Sequence, residues 1–268
     1  MFSKEKKKRI NNMNDVINLS ASIVLFKEDP IELKKTIDCF LATPLAKKLF
    51  LIDNSPTDIL KKLTHHPDIE YSFIGNNIGF GAAHNTVIEK IKSLSTYHLI
   101  LNPDVSFQPN IITNLIHQLE KDSRITMIAP KVLFPNGKHQ YSCRRYPTIS
   151  ELLARRFSFY KAFRSPIIFK GEYRDKDLNT SFFADYLTGC FHLYKTNDFI
   201  DLKGFDERYF LYMEDVDICK KIDTQGKKKL YYPKEEITHV LKQGSLKNIK
   251  LFFRHTLSAF KYFKKWGF

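Results

Sequence analysis

Acids follow an aromatic stretch in Gly204-Phe205-Asp206-Glu207-Arg208-Tyr209-Phe210-Leu211-Tyr212-Met213-Glu214-Asp215-Val216-Asp217. Carboxylates among large apolar side chains are costly to desolvate unless they are paired, bound to metal or functional. Glu214 and Asp215 are therefore candidates for general acid–base work, in which a positioned carboxylate takes a proton from a reacting hydroxyl. Helical periodicity starts at about Met213 and puts Glu214, Asp215 and Asp217 in a first turn. Acids there also suit the positive end of the helix dipole, so a purely structural role stands beside the chemical one. A second acidic site lies far upstream, at Asn102-Pro103-Asp104. Asp104 follows an apolar run, where its hard oxygens could hold Mg²⁺ or Mn²⁺ against a diphosphate. The same three residues also make an ordinary turn.

Only the fold could bring Asp104 and Asp215 together. Ser22-Ile23-Val24-Leu25-Phe26 and Leu49-Phe50-Leu51-Ile52 are apolar runs of the kind found in strands buried on both faces. Further strands are expected at Ile69 to Ile74, Tyr97 to Leu101 and Ile125 to Ala129. Between them fall helices: one from Asp29-Pro30 to about Leu41, a short one over 57–63, one over Ala82 to Ile91, and one from Pro109 to Leu119. This alternation indicates a mostly parallel, doubly wound α/β sheet. Ligands of such sheets bind at the carboxyl ends of the strands, which places Phe26, Asp53-Asn54, the 76–85 turn and Asp104 on one rim. Residues 135–180 read as irregular and basic, and Phe182 to Tyr194 as a strand broken at Gly189. Leu230 to Tyr232 and Ile237 to Val240 read as two short strands.

The 268 residues, 43% hydrophobic and 14% aromatic, are enough for one sizeable α/β core. Lys and Arg number 43 against 29 Asp and Glu, a balance of +14 that favours an anionic partner. The four cysteines are scattered, with no CxxC pair, which suits reduced thiols rather than a disulfide framework or a zinc site. The basic N-terminus lacks the apolar core of a secretory signal, and no apolar run approaches a membrane span. A cytosolic protein is expected, with attachment to a membrane surface as an open alternative.

Taken in order, a set of motifs resembles the bacterial family-2 glycosyltransferases, in the rhamnosyltransferase-like branch of surface-polysaccharide assembly. They are Asp53-Asn54-Ser55, Asn77-Ile78-Gly79-Phe80-Gly81 with Asn85, Leu101-Asn102-Pro103-Asp104, Gly189, Gly204-Phe205-Asp206-Glu207, Tyr212-Met213-Glu214-Asp215-Val216-Asp217 and His239. The resemblance implies a GT-A fold, with acceptor elements on the C-terminal side of the nucleotide-binding sheet. It implies nucleotide contacts from Phe26, Asp53, Asn54, Asn77, Gly79, Asn85, Asn102 and Asp104, with Asp53 on the nucleobase or ribose. Asp104 matches the last residue of the family's metal-binding DxD motif, whose first acid is Asn102 here. His239 matches a histidine that approaches the metal or the diphosphate, a structural histidine being the alternative. Asp215 matches the catalytic base, with Glu214 beside it. Leu25-Phe26-Lys27 departs from the family's small polar residue, Tyr and Asn.

The implied reaction is inverting and uses Mg²⁺ or Mn²⁺. It moves a sugar, rhamnose among the candidates, from a nucleoside-diphosphate donor to a lipid-linked or membrane-bound glycan of O-antigen, capsule or another surface polysaccharide. A nucleotidyltransferase is the enzymatic alternative, but Phe26-Lys27-Glu28 is not its Gly- and Arg-rich signature; a non-catalytic sugar-nucleotide or membrane-binding relative is the other. A basic arm over 1–18 and one domain over 19–268 are expected. Within that domain 19–130 would bind the nucleotide sugar, 131–244 would carry acceptor and catalytic elements, and 245–268 would be an amphipathic helix.

Two basic stretches remain. Residues 242–268 hold seven Lys or Arg and no acid, with Ile249, Phe253, Leu257 and Phe260 at helical spacing. That composition fits an anionic membrane surface, or equally a stripe packed on the sheet. Arg144, Arg145, Arg155, Arg156 and Arg164 alternate with aromatics, but no nucleic-acid motif accompanies them, and no nucleic-acid partner is expected.

Overall fold

The computed structural model describes residues 17–156, 161–241 and 249–267. Most of the basic arm lies outside these, as do Phe157, Phe159, Tyr160 and residues 242–248. Ile17 and Asn18, expected in the arm, already belong to the first strand.

That strand, β1 (Ile17–Leu25), divides its side chains between two faces. Leu19, Ala21, Ile23 and Leu25 join a core built with Leu33, Ile37 and Phe40 of helix α1 (Pro30–Leu41). Ser20 and Ser22 point the other way and are fully buried. They are satisfied by His98 and His84: Ser20 Oγ stands 2.7 Å from His98 Nδ1, and Ser22 Oγ 2.7 Å from His84 Nδ1. The α1 start follows the sequence: the Asp29 carboxylate accepts the Ile31 N–H at 2.8 Å, with Pro30 next in line.

β2 (Lys47–Asp53) and β3 (Ile69–Phe73) extend the sheet on one side of β1, and β4 (Ser95–Leu101) on the other, all parallel. The 80–91 region is two pieces, α2 (Phe80–Asn85) and α3 (Ile88–Ile91). After β5 (Val105–Ser106) and α4 (Ile111–Leu119) comes β6 (Ile125–Leu133). The stretch expected to be irregular holds β7 (Cys143–Arg144), α5 (Ile149–Arg156) and α6 (Lys161–Gly171). Then follow β8 (Phe182–Phe183), β9 (Tyr186–Leu187), β10 (Phe191–Lys195) and α7 (Thr196–Asp201). α8 (Glu214–Thr224), β11 (Lys228–His239) and α9 (Ile249–Trp266) complete the described chain. β11 replaces the two short strands expected: one strand crosses Pro233, shifting register between Tyr232 and Glu236.

The main sheet runs β3-β2-β1-β4-β10-β6-β11-β5, with β8 beside β11. β3, β2, β1, β4, β6 and β11 point the same way, while β10, β5 and β8 run against them. The reversed β10 sets the geometry of the rim. Because it is antiparallel to β4, its beginning lies where β4 ends, and the Asn102 N–H donates to the Cys190 carbonyl at 2.9 Å. β11 ends at the same rim, with His239 opposite Val105.

Candidate active site

A cavity of about 520 Å³ opens along this rim. Its walls include Phe26, Asn54, Asn77, Gly79, Asn102 and Asp104 from the nucleotide side expected of the sequence, with His239, Glu214 and Asp215 facing them. Asn54 closes the turn beneath: its Nδ2 donates to the Gly79 carbonyl at 3.2 Å, while Asn77 Oδ1 accepts the Gly79 N–H at 3.0 Å. Gly79 has φ 98°, and a Cβ there would stand 2.6 Å from the Phe210 carbonyl oxygen. Only glycine fits that approach.

Two expected nucleotide contacts are not on the wall. Asp53 is fully buried; one oxygen accepts the Ser55 N–H at 2.8 Å and the other the Tyr71 hydroxyl at 2.7 Å. Burial, and then that bond, hold the Tyr71 phenol well above its ordinary pKa. Asn85 grips the turn before the acids instead: it accepts the Phe205 N–H and donates to the Phe205 carbonyl, both at 2.9 Å, and reaches Glu207 at 3.0 Å. Motif position put both residues near the nucleotide, but strand alternation turns the Asp53 side chain into the core.

On one side of the cavity Asp104 Oδ1 lies 3.2 Å from His239 Nε2, with Asn102 Nδ2 3.3 Å from the same nitrogen. The other ring nitrogen of His239 is 3.0 Å from Gln140 Oε1, which fixes the imidazole plane. Burial disfavours the imidazolium, but the Cys190 thiol and the Asp104 carboxylate outweigh it and push His239 up to about 10. Two donors at right angles on an ion with bonds of about 2.1–2.2 Å stand about 3 Å apart, so the Asp104–His239 spacing fits a shared divalent cation. Among the described residues no cluster of three or more such side chains exists. The donor set therefore suits an ion whose remaining positions are filled by substrate phosphate and water.

Glu214 and Asp215 line the same cavity. Tyr212 and Met213 both have left-handed backbone, φ 70° and 71°, immediately before α8. Two consecutive non-glycine residues in that region are strained, by roughly 1–3 kcal/mol each. The strained turn delivers Glu214 and Asp215 to the cavity as α8 begins. Asp215 Oδ2 accepts the Gly189 N–H at 3.2 Å and Oδ1 the Val216 N–H at 2.9 Å. A Cβ on Gly189 would press on Asp215 Cβ at 3.3 Å. Glu214 Oε2 is buried without a partner. Burial, reinforced by the neighbouring Asp215, holds Glu214 well above the carboxylate range. Burial raises Asp215 too, but the Gly189 and Val216 N–H groups and Arg144 oppose it. Both acids are thus raised, Glu214 the more strongly, so of the two Asp215 gives up its proton first. Asp217, the third acid, faces away and is fully buried.

The sequence reading assigned no role to several wall residues, among them Gln140, Ser142, Arg144 and Thr188. Arg144 was visible only as part of a basic run, and Gln140 carried no signal at all.

Comparison with known proteins adds the following. The family described as "Glycosyl transferase family 2" matches residues 20–199, a stretch holding Asp104 but ending before Asp215 and His239. The chain is 26% identical over 240 residues to "Rhamnosyltransferase WbbL" of Escherichia coli (strain K12), covering 86% of this chain and 87% of that protein. It is 28% identical over 213 residues to "N-acetylglucosaminyl-diphospho-decaprenol L-rhamnosyltransferase" of Mycobacterium tuberculosis (strain ATCC 25618 / H37Rv), covering 74% and 68%. Among solved structures, GalNAc-T7 with UDP, GalNAc and Mn²⁺ aligns with TM-score 0.65 at 16% identity, over 94% of this chain and 50% of that one. The mannosyltransferase PcManGT of Pyrobaculum calidifontis, with GDP-Man and Mn²⁺, aligns with TM-score 0.61 at 14% identity, over 93% and 64%. The chain thus spans about half and about two thirds of these two structures, and it shares their GT-A fold.

Proposed function

Since the chain belongs to glycosyl transferase family 2, and is a glycosyltransferase of GT-A fold, we propose that it transfers rhamnose from a nucleoside-diphosphate donor to a lipid-linked glycan, with inversion at C1. One observation carries the mechanism: Asp104 and Asp215 line one cavity at the carboxyl ends of the strands. The two curated relatives, both rhamnosyltransferases by name and one acting on a diphospho-decaprenol, support the sugar and the acceptor class. They also support a role in cell-surface polysaccharide assembly.

The donor lies with its nucleotide along Phe26, Asn54, Asn77 and Gly79 and its diphosphate toward Asp104 and His239. Asp104 and, once it releases the proton that Asp104 favours, His239 would hold a divalent cation, Mn²⁺ or Mg²⁺, which when bound supplies a Lewis acid to the leaving diphosphate. Asp215 accepts the proton of the acceptor hydroxyl as its oxygen bonds to C1 and the C1–O bond to the diphosphate breaks. The Gly189 and Val216 N–H groups favour the carboxylate form of Asp215 for that step. Glu214, raised the more strongly by burial and by Asp215, holds its proton more firmly. A lone base with no second nucleophile gives inversion. Screening dTDP-, UDP- and GDP-sugars for Mn²⁺-dependent hydrolysis tests the reading, with dTDP-rhamnose expected to lead; no metal-dependent hydrolysis of any donor would refute it.

A further inference from the structure

α9 carries two faces of different character. Its inner face buries Ser258, Ala259, Tyr262 and Phe263, and on that side Leu251 lines the large cavity. His255, also on that side, lines a second cavity of about 220 Å³, which shares Arg144, Thr188, Glu214 and Asp215 with the first. The second cavity has Asp215 in its wall and none of Phe26, Asn54, Asn77, Gly79 or Asp104, which suits it to an acceptor rather than to the donor. The outer face presents Ile249, Phe253, Leu257 and Phe260, each 54–64% exposed. At 3.6 residues per turn these four fall within about 80° of arc, nearly opposite the buried face. Lys250, Arg254, Lys261 and Lys264 flank the stripe, and Ile249–Trp266 contains no acid. Arg254 stacks on Phe210 at 3.9 Å and Lys261 donates to the Arg208 carbonyl at 2.6 Å, and among the described residues neither has an acidic partner.

We propose that this outer face of α9 docks flat on an anionic bilayer. A row of large apolar side chains beside a purely cationic flank matches a negatively charged lipid surface: the apolar stripe sinks below the headgroups while the lysines stay among them. A protein partner with an apolar groove would match the stripe but gain nothing from the flank unless it were acidic too. The docking has a consequence for the site. A helix with its side chains is about 10–12 Å across, so both cavities stand one helix diameter from the headgroups. A diphosphate-linked sugar on a lipid is presented at that depth. This last step rests on the glycosyl-transfer reading; the docking itself does not.

The test is co-sedimentation of the full chain with vesicles of phosphatidylcholine alone or mixed with phosphatidylglycerol. Binding is expected only with phosphatidylglycerol, to fall as salt is raised, and to weaken about tenfold or more in a Phe253→Ser/Phe260→Ser variant. Both positions are exposed, so the fold is retained, and Ile59→Ser, at an exposed apolar residue elsewhere, leaves binding unchanged. Unaltered binding of the double variant overturns the proposal. So does a concentration-dependent dimer, abolished by the same substitutions, in sedimentation velocity. Hydrolysis of dTDP-rhamnose in solution separates the two ideas. Hydrolysis without vesicle binding sinks the docking alone, whereas vesicle binding without hydrolysis of any donor sinks the glycosyl-transfer reading alone.

Discussion

The indole N–H of Trp266 donates to Asp217 Oδ1 at 2.7 Å, joining the end of α9 to the first turn of α8. Lys265 Nζ donates to both oxygens of the same carboxylate, at 2.7 and 3.0 Å, and the Tyr209 hydroxyl adds a bond of 3.2 Å. One buried acid thus fastens the last helix to the turn that carries Glu214 and Asp215.

Asp217→Ala should therefore be a stability variant. It leaves Lys265 without that partner and removes an acceptor from Trp266 and Tyr209, a kind of loss worth about 3–5 kcal/mol for a fully buried pair. Lys265 is 23% exposed, so about 2–4 kcal/mol is expected, read as a lowered urea midpoint. Asp217→Asn keeps an acceptor and should lose less. An unshifted midpoint for Asp217→Ala would contradict this account.

Asn85 is expected to behave the same way, against its motif-based assignment to the nucleotide. Its amide holds both the N–H and the carbonyl of Phe205, next to Gly204, whose added Cβ would collide with Asn85 Oδ1. Asn85→Ala should lower stability by about 1–3 kcal/mol and leave the dissociation constant of UDP or dTDP within a few-fold. A collapse in nucleotide affinity at unchanged stability would restore the original assignment.

These two residues show where sequence reading stops. The strands of the nucleotide half were legible because runs such as Leu49–Ile52 are buried on both faces, and the rim followed from the parallel-sheet rule. Asp104, Glu214 and Asp215 were legible as acids next to apolar runs. Three things were hidden. The reversed β10 depends on long-range pairing that no local pattern encodes, yet it brings Gly189 to Asp215. The direction of the Asp53 side chain is a matter of strand parity. The buried Ser20, Ser22, His84 and His98 group is invisible in a segment whose neighbours suggest a dry apolar core.

That polar group makes a prediction about pH. Burial lowers His98 to about 3 and His192 to about 4, and it lowers His84 as well, with His98 and His192 adding repulsion. Above about 6.5 these histidines are neutral whether folded or unfolded, and their contribution is fully present. As pH falls below that value the unfolded chain takes up protons that the folded chain refuses. Each histidine then costs up to about 1.4 kcal/mol of stability per pH unit, until its folded value is reached. The urea midpoint should drop steeply between pH 7 and 5, and less steeply in His98→Gln. Equal slopes for the two proteins would argue against a neutral buried His98.

For the cation, Asp104→Ala should abolish the stabilisation that Mn²⁺ adds to UDP or dTDP binding. A ligand at a hundredfold excess over its dissociation constant contributes about 2.7 kcal/mol, an effect easily seen by thermal shift. The variant should still fold, because Asp104 stands at the cavity wall rather than in the apolar core. His239→Ala should weaken the same effect without abolishing it. Equal stabilisation by Mn²⁺ in Asp104→Ala and the parent would place the cation elsewhere.

The sharpest test separates the two adjacent acids. Asp215, whose carboxylate form is favoured by the Gly189 and Val216 N–H groups, is the better proton acceptor; Glu214, with one oxygen buried and unpartnered, holds its proton more firmly. Asp215→Asn preserves shape but keeps an acceptor for only one of the two backbone N–H groups, because its amide nitrogen replaces one oxygen, and it removes the proton acceptor. It should lower kcat by about 10²-fold or more while donor affinity stays within a few-fold. Glu214→Gln replaces a neutral acid with a neutral amide and should retain most of the turnover. It should also remove a pH-linked penalty: the raised Glu214 favours the folded state below the carboxylate range and disfavours it as pH rises toward the folded value, so the Gln variant gains stability over the parent with increasing pH. A dead Glu214→Gln beside an active Asp215→Asn would move the base by one residue and reverse this division of roles.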